Sequence, residues 1–246
     1  MKYLVCITKT PETTAKIGFT DGNTKFDESG VQYILNPYDE WYALVRALEL
    51  KETQGGTVTV INVGPPSNDA VIRKALAIGA DEAVRVNAEP QSALFAAKQI
   101  AEYVKSNPQD VILCGKESID YNSGEVGGMI AAFLDTPFVS FATNLDITDG
   151  SAMVKREIEG GTESSKVSLP VVISAAKGMA EQRIPNMRGI MMAKRKPLNV
   201  IEPVAFEDKA KVISYELPAG KTSVKLIDPE NMDELVRLLQ EEAKVL

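Results

Sequence analysis

The stretch DVILCGKESIDYNSGEVGGMIAAFLD, residues 110–135, contains the pattern that decides the fold. It begins with an apolar run, passes into a polar loop with four glycines between positions 115 and 128, and ends in an apolar segment. A short apolar run bounded by turn residues is typical of a buried strand, and the longer run after the glycines has the length of a helix. The stretch therefore predicts a strand, a glycine-rich turn and a helix in succession.

The same alternation fills the rest of the first 135 residues. Asn36 and Pro37 are predicted as the N-cap and first residue of the first helix, because these residue types favour those positions. Strands that are apolar at successive positions suit a parallel sheet covered on both faces. The sequence therefore predicts an α/β fold with a doubly wound, mostly parallel sheet and helices on both faces. The predicted strands are at 2–8, 57–64, 82–87 and 110–114, and the predicted helices are at 36–54, 68–78, 92–106 and 127–135.

The pattern changes after residue 135, and the second half adds an antiparallel hairpin and a carboxyl-terminal arm. Gly160 and Gly161 separate two alternating stretches, which predicts the hairpin. The last fifty residues contain too few apolar residues for a core of their own, so we expect an arm that packs on the main domain or on a partner. The further predictions are a hairpin or long loop at 16–35, a buried strand at 171–175, a loop and short helix at 177–197, a strand at 210–217 and an amphipathic helix at 229–243.

Composition excludes several classes of function. The net charge is −7, and an acidic chain is a poor nucleic-acid binder unless its basic residues cluster, as they do at 194–196. The chain has no histidine, which excludes Ser-His-Asp and Cys-His catalysis, and we expect no metal site. Cys6 and Cys114 lie in apolar runs and are predicted to be buried, reduced thiols. No signal-peptide or transit-peptide pattern and no run of 18 apolar residues is present, so we expect a soluble bacterial cytoplasmic protein.

Three segments of the predicted sheet converge where ligands bind in doubly wound folds, outside the carboxyl ends of the strands. They are the end of the first strand at Cys6, the turn at 64–66 and the loop at 115–128. Amides at the start of the helix after this loop attract anions, and Gly124, Gly127 and Gly128 leave the backbone accessible. The loop is neither a GxxxxGK[ST] nor a GxGxxG motif. The pattern alone is therefore compatible with a nucleotide site and with a purely structural turn, in which Glu125 would cap the helix.

Longer stretches of the chain resemble the β, or small, subunits of electron transfer flavoproteins. The resemblance covers nearly the whole length and is carried by YLVCITKTPE at 3–12, ILNPYDEWYALVRALELKE at 34–52, VKREIEGGTESSKVSLPVVISA at 154–175 and RIPNMRGIMMAKRKPL at 183–198. It implies a nucleotide-binding, adenine nucleotide α-hydrolase-like fold that pairs with a larger α subunit carrying FAD. It also implies a domain at 1–197, and an arm at 198–246 that packs on the partner subunit.

The resemblance implies that the chain binds AMP, as most members do. The loop reads DYNSGEVGG where many AMP-binding members read D-D-D-x-N-Q-T-G, and EVG is closer to members that bind a second FAD. Those members carry a G-D-T-A segment that this chain lacks, so AMP is predicted and FAD in its place is the alternative. The implied nucleotide site consists of Cys6, Asn36, Pro37, Tyr38, Asp39, Val63, Gly115, Lys116, Glu117, Ser118, Ile119, Asp120, Tyr121, Asn122, Ser123, Gly124, Glu125 and Val126.

A second implied region is a recognition segment, residues 175–197, which in the family docks acyl-CoA dehydrogenases and related enzymes through an anchoring leucine. Met187 matches that leucine, and Arg188, Ile190 and Met191 lie beside it. The alternative interpretation is that this apolar helical face belongs to the core and that the basic run is a solvated helix end.

The resemblance gives the chain a role in electron transfer without catalytic residues of its own. Glu157 matches a glutamate that steers the mobile flavin domain, and the region around Thr13 lies where the β subunit approaches the flavin of the α subunit. Electrons would pass from a dehydrogenase, as in fatty acid β-oxidation, through the FAD of the α subunit to a quinone oxidoreductase or similar acceptor. A stand-alone nucleotide-binding regulator is the competing interpretation.

Overall fold

The computed structural model describes residues 1–90, 92–220 and 223–246, and it confirms the predicted α/β fold. The strands are β1 Lys2–Cys6, β2 Lys9–Pro11, β3 Phe19–Thr20, β4 Lys25–Phe26, β5 Tyr33–Leu35, β6 Thr57–Val63, β7 Glu82–Val86, β8 Val111–Gly115, β9 Phe138–Thr148, β10 Ser151–Ile158, β11 Gly161–Ser168, β12 Val171–Ala175 and β13 Leu198–Ile201. The helices are α1 Asp39–Gln54, α2 Asp69–Ile78, α3 Ala93–Ser106, α4 Val126–Leu134, α5 Met187–Ala193 and α6 Met232–Glu241.

Nine strands form one sheet in the order β11-β10-β9-β12-β8-β1-β6-β7-β13. The seven strands from β9 to β13 are parallel, and β10 and β11 extend the sheet as an antiparallel hairpin beside β9. From β1 the chain moves outward through β6 and β7 and then returns to the other side of β1 with β8. The strand order therefore reverses between β1 and β8, and a crevice at the carboxyl ends of these two strands is the expected ligand position.

Each face of the sheet is covered by a separate helical layer. Tyr3 and Val5 of β1 point into a core with Leu44 of α1 and Ile72 of α2. Leu4 and Cys6, the alternate positions of the same strand, point into a second core with residues of α3 and α4. Because both faces of β1 are buried, the strand is apolar at successive positions, as the sequence indicated.

Two small antiparallel pairs stand beside the carboxyl end of β1. β2 pairs with β5, and β3 pairs with β4 through a tight turn at Gly22, which confirms the predicted hairpin. The arm reaches this hairpin, because the backbone amide of Tyr215 donates to the Asn23 carbonyl and the Tyr215 ring stacks on Phe19 at a centroid distance of 4.8 Å. Among the described residues, no helix is long and apolar enough to cross a membrane.

The predicted start of the first helix is wrong by two residues. α1 begins at Asp39, and its N-cap position is occupied by Tyr38 with φ +65°. Asn36 does not cap the helix, because its side chain is turned into the protein toward residues 117–119. The start of α3 is as predicted, with the Ser92 hydroxyl accepting a hydrogen bond from the Phe95 amide at 3.1 Å.

Three elements of the second half differ from the sequence prediction. β9 was not predicted, and residues 210–217 form no strand although a strand was predicted there. β13 was also missed, and it places residues 198–201 at the edge of the sheet beside β7, although the predicted division assigned them to the arm. The binding of the remaining arm to a partner subunit stays a prediction. The hairpin of β10 and β11 and the buried strand β12 are confirmed.

Replacing Gly115 with alanine tests how closely α1 packs on β8. A Cβ at position 115 would lie 2.7 Å from Glu40 Cγ and 2.9 Å from the Glu40 backbone nitrogen. Because the backbone atom cannot move without displacing α1, we expect Gly115→Ala to lower the free energy of unfolding by about 1–3 kcal/mol. Gly161→Ala is the control, since nothing lies within 4 Å of a Cβ there. Equal urea midpoints for the two variants would contradict the close approach.

Candidate functional site

The segments that the sequence predicted meet at the strand reversal, where doubly wound folds have their crevice. Cys6 ends β1 and Gly115 ends β8, and the loop 116–125 follows directly. The chain between β5 and α1, residues 36–38, lies against this loop. Val63 ends the neighbouring strand β6 and is partly buried. The predicted nucleotide positions therefore come together in space, while their contact with a nucleotide stays a prediction.

Asn36 connects the two walls of the crevice from inside the protein. Its Nδ2 donates to the Glu117 carbonyl at 3.0 Å, and its Oδ1 accepts from the Ile119 amide at 3.1 Å. The residue is 0% exposed, so both polar groups of the side chain are used within the fold. In this conformation Asn36 positions the loop and does not reach the space above it.

The loop leads into α4, whose first amides face no side-chain cap. Glu125 occupies the N-cap position without a capping hydrogen bond, so the predicted cap at this residue is wrong. Gly124 has φ +63°, and a Cβ placed there would meet only the Lys116 carbonyl oxygen, at 3.4 Å. At Gly127 the constraint is steric, because a Cβ there would lie 3.0 Å from the Phe138 ring. Free amides at a helix start and an open backbone at Gly124 form a suitable environment for an anion.

A buried carboxyl group lies beneath the crevice. Glu40 Oε2 accepts from the Thr8 amide and Oε1 accepts from the Thr8 hydroxyl, each at 2.6 Å. Burial raises the pKa of Glu40 to about 8, although the hydrogen bonds from Thr8 oppose the shift. A hydrogen bond with Cys114, followed by burial, raises the pKa of Cys6 well above its usual value. Both pKa shifts favour the uncharged forms of these groups.

The mouth of the crevice carries charged and aromatic side chains. The Lys116 ammonium forms an ion pair with Glu117 at 3.0 Å. Burial raises the pKa of the Asp39 carboxyl, and the positive charge of Lys116 opposes that rise. Tyr38 and Tyr121 are exposed, which makes their rings available to a ligand. The remaining predicted loop positions are exposed or partly buried, namely Ser118, Asp120, Asn122, Ser123 and Val126. Within the described part of the chain, no group of three or more His, Cys, Asp or Glu residues could hold a metal ion.

The recognition segment presents apolar side chains to solvent. Met187 is 75% exposed, Met191 is 68% exposed, and Ile190 is exposed beside them in α5. The interpretation of this face as core is therefore wrong. Ile184 is 84% exposed, and the sequence analysis did not select it because a single apolar residue in a loop has no periodic pattern. Arg188 is also exposed.

The basic run at 194–196 is not a uniform solvated patch. Lys194 and Arg195 are exposed, but Lys196 turns inward and its Nζ donates to the Leu76 carbonyl at 2.9 Å and the Ala80 carbonyl at 2.5 Å. Burial lowers the pKa of Lys196. Its ammonium group therefore satisfies carbonyls at the end of α2, a role that the charge pattern alone did not reveal.

Two further predicted residues lie on the surface outside the recognition segment. Glu157 is exposed near the tip of the hairpin, opposite Thr162 of β11. Thr13 is exposed after β2, and its hydroxyl donates to Glu12 Oε1 at 3.1 Å. Their predicted roles toward a flavin-bearing partner stay predictions.

The fold is that of an α/β protein with a doubly wound, mostly parallel sheet. Residues 23–205 match the electron transfer flavoprotein domain. The chain is 37% identical to the electron transfer flavoprotein subunit beta of Bacillus subtilis (strain 168), with 100% of both chains covered. It is 38% identical to that of Syntrophomonas wolfei, covering 94% of this chain and 91% of the relative, and 32% identical to that of Homo sapiens, covering 100% and 99%. The chain belongs to the electron transfer flavoprotein family.

The raised pKa of Glu40 predicts a specific pH dependence of stability. Its folded pKa of about 8 lies above the 4.5 of an unperturbed glutamate, so the native state binds more protons between these values. The contribution of the buried acid is present below pH 4.5 and is lost as the pH rises through about 8, with a slope of up to about 1.4 kcal/mol per pH unit. We expect Glu40→Gln to flatten the fall in unfolding free energy between about pH 5 and pH 8, measured by urea titration.

Glu163→Gln is the control for this experiment. The hydrogen bond from Arg156 lowers the pKa of Glu163, so this group titrates below the range tested. The slope between about pH 5 and pH 8 should therefore match that of the unsubstituted protein. An equal slope in Glu40→Gln would show that the carboxyl group is ionised in the native state.

Proposed function

We propose that the chain is the small subunit of a heterodimeric electron transfer flavoprotein. It pairs with a larger α subunit that carries FAD, holds AMP in the crevice, and docks dehydrogenases of the acyl-CoA type through the recognition segment. Electrons then leave through the α subunit to a quinone oxidoreductase or similar acceptor. The observation that carries the proposal is the exposed apolar surface of Ile184, Met187 and Met191, in a chain similar over its whole length to β subunits. Apolar clusters on a surface typically mark protein interaction sites.

The crevice offers groups that suit the binding of AMP. The uncapped amides of α4 and the ammonium group of Lys116 are donors for a phosphate group, and Gly124 leaves room for its approach. The raised pKa of Glu40, about 8, favours its uncharged form, which reduces the repulsion of a phosphate. Exposed rings of Tyr38 and Tyr121 offer faces on which a base can stack. A bound AMP would stabilise the folded chain by mass action.

The residues of this chain act by binding and positioning. FAD on the α subunit supplies the electron chemistry when it is bound, and no residue of this chain is assigned a bond-breaking role. The chain has no histidine to act as a general base, which fits a carrier subunit. Glu157, exposed near the hairpin tip, supplies a surface carboxylate for steering the flavin domain. Thr13 is also exposed, and in this proposal its surroundings face the flavin of the α subunit. The interaction of one exposed carboxylate would be weak and sensitive to salt.

Replacing Gly124 tests the nucleotide site. A valine at this position would place a branched side chain in the approach to the α4 amides, so we expect the purified heterodimer to lose its nucleotide. The small molecules released by denaturation would be identified and counted by mass spectrometry. Gly150→Val is the matched control, because Gly150 has φ +69°, close to the +63° of Gly124, but lies in the turn between β9 and β10.

The outcomes of this measurement separate the alternatives. One AMP and one FAD per heterodimer, with AMP lost only in Gly124→Val, supports the proposal. Two FAD molecules per heterodimer and no AMP would show that the crevice holds a second flavin instead. Unchanged nucleotide content in Gly124→Val would contradict the assignment of the loop.

Replacing Met187 tests the docking surface. When the dehydrogenase docks, a charged side chain at the exposed centre of the recognition segment would be removed from water and would lack the apolar contact that methionine makes. We therefore expect Met187→Glu to raise the KM of an acyl-CoA dehydrogenase for the carrier by about tenfold or more. Nucleotide content and pairing with the α subunit should not change. Met153→Glu is the control, since Met153 is an exposed methionine of β10 on the opposite side of the sheet. An unchanged KM for Met187→Glu would contradict docking at this surface.

A further inference from the structure

The recognition segment is attached to the domain at two points, with the exposed apolar residues between them. The first attachment is at Arg183 and uses two residues of α1. The Trp41 indole Nε1 donates to the Arg183 carbonyl at 3.2 Å. The Arg183 guanidinium donates to both oxygens of Glu52, at 2.6 Å and 3.1 Å. Trp41 and Glu52 lie about three helical turns apart on one side of α1, so one arginine is held through both its backbone and its side chain.

The indole is itself held in place from the neighbouring helix. The Lys74 Nζ lies 4.7 Å from the centroid of the Trp41 ring, and Trp41 packs at the margin of the core under α1 and α2. The contact with Lys74 and the packing against the core therefore hold the ring in the orientation that directs Nε1 toward Arg183.

The second attachment joins α5 to α2 through their carboxyl ends. The Arg73 guanidinium of α2 donates to the carbonyls of Ala193 and Lys196 at 2.8 Å and 2.7 Å, and Lys196 donates back to carbonyls at the end of α2. Gly189 of α5 lies so close that a Cβ there would be 2.4 Å from the Ala77 carbonyl oxygen. Each helix thus satisfies unpaired carbonyls of the other, and α5 cannot move independently of α2.

The two attachments differ in what their loss would do. The contacts of α5 with α2 involve the core residue Ala193, whereas Arg183 and Glu52 have side chains that are 38% and 55% exposed. Removing the Arg183–Glu52 pair therefore leaves both cores intact and loosens only the chain that leads to Ile184 and Met187, which keeps the Trp41 bond to the backbone of residue 183. An ordered surface loop costs less conformational entropy on binding than a mobile one, which is the general advantage of preorganisation.

We propose that Trp41, Glu52 and Arg183 form a clamp that preorganises the recognition segment for the dehydrogenase. This inference rests on the proposed function and assigns positioning residues to it; none of the three residues needs to contact the partner enzyme. α1 then serves two regions at once, because its first turn lines the crevice at Glu40 and the adjacent residue, Trp41, holds the recognition segment.

A double-mutant cycle on the ion pair tests the clamp in the complete heterodimer. We expect Glu52→Gln and Arg183→Gln each to raise the KM of an acyl-CoA dehydrogenase for the carrier by about threefold, with kcat and nucleotide content unchanged. The double variant should also show a rise of about threefold, because either substitution already removes the same interaction. Lys105→Gln is the control, since it breaks an exposed 2.9 Å pair with Glu102 on α3 and should leave KM unchanged.

The fluorescence of the complete β chain gives a readout that does not depend on activity. Trp41 is the one tryptophan of the chain, so its emission reports the surroundings of the clamp directly. In Arg183→Gln the loop loosens and water reaches the indole, and we expect the emission maximum to move to longer wavelength. Lys105→Gln should leave the emission unchanged.

Three results would overturn the clamp, and they are distinguishable from failure of the proposed function. If Met187→Glu raises KM while both single clamp variants leave it unchanged, the docking surface stands and the clamp is wrong. If the double variant multiplies the single effects to about ninefold, the two residues act independently. If Met187→Glu and the clamp variants all leave KM unchanged, docking at the recognition segment is wrong and the clamp has no role in it.

Discussion

The close approach between Gly115 and the first turn of α1 is the constraint on which the functional regions depend. With no side chain at position 115, the backbone of Glu40 packs directly on the end of β8. This contact fixes the helix at the point where the strand order reverses, and it places the carboxyl group of Glu40 within hydrogen-bond distance of Thr8. A helix that is fixed at one end also has a defined rotation about its axis. The α1 side chains that point away from the crevice therefore have orientations as well defined as those of the side chains that point toward it.

The parallel half of the sheet could be predicted from the sequence because each strand carries its own signal. β1, β6, β7 and β8 are short apolar runs between turn residues and helices, and burial on both faces makes that pattern local. β9 lacks such a signal. Its buried residues Val139 and Ala142 are three positions apart, because a bulge at Phe141, with φ +54°, breaks the period of two.

Pairing partners account for the other differences between sequence and structure. Among the described residues, the run at 210–217 pairs with no strand and contacts the β3–β4 hairpin only through Tyr215, and a strand is not stable without a paired neighbour. β13 is only four residues long and becomes a strand through its register with β7. The position of the candidate site could be predicted, since glycines and polar residues follow the strands. The inward orientation of Asn36, Glu40 and Lys196 could not, because each depends on groups distant in sequence.

The long sheet ends at β11, and the residues of this strand have a consequence for the behaviour of the protein in concentrated solution. An exposed outer strand offers unpaired amides and carbonyls on which the strand of another molecule can add, which is a common origin of fibrous aggregates. β11 reads GTESSKVS, with exposed small hydroxyl residues, a lysine at 166 and a glutamate at 163 bound to Arg156. A foreign strand would have to desolvate these groups without gaining apolar contact. The sheet can therefore remain open at this edge while the molecules stay separate.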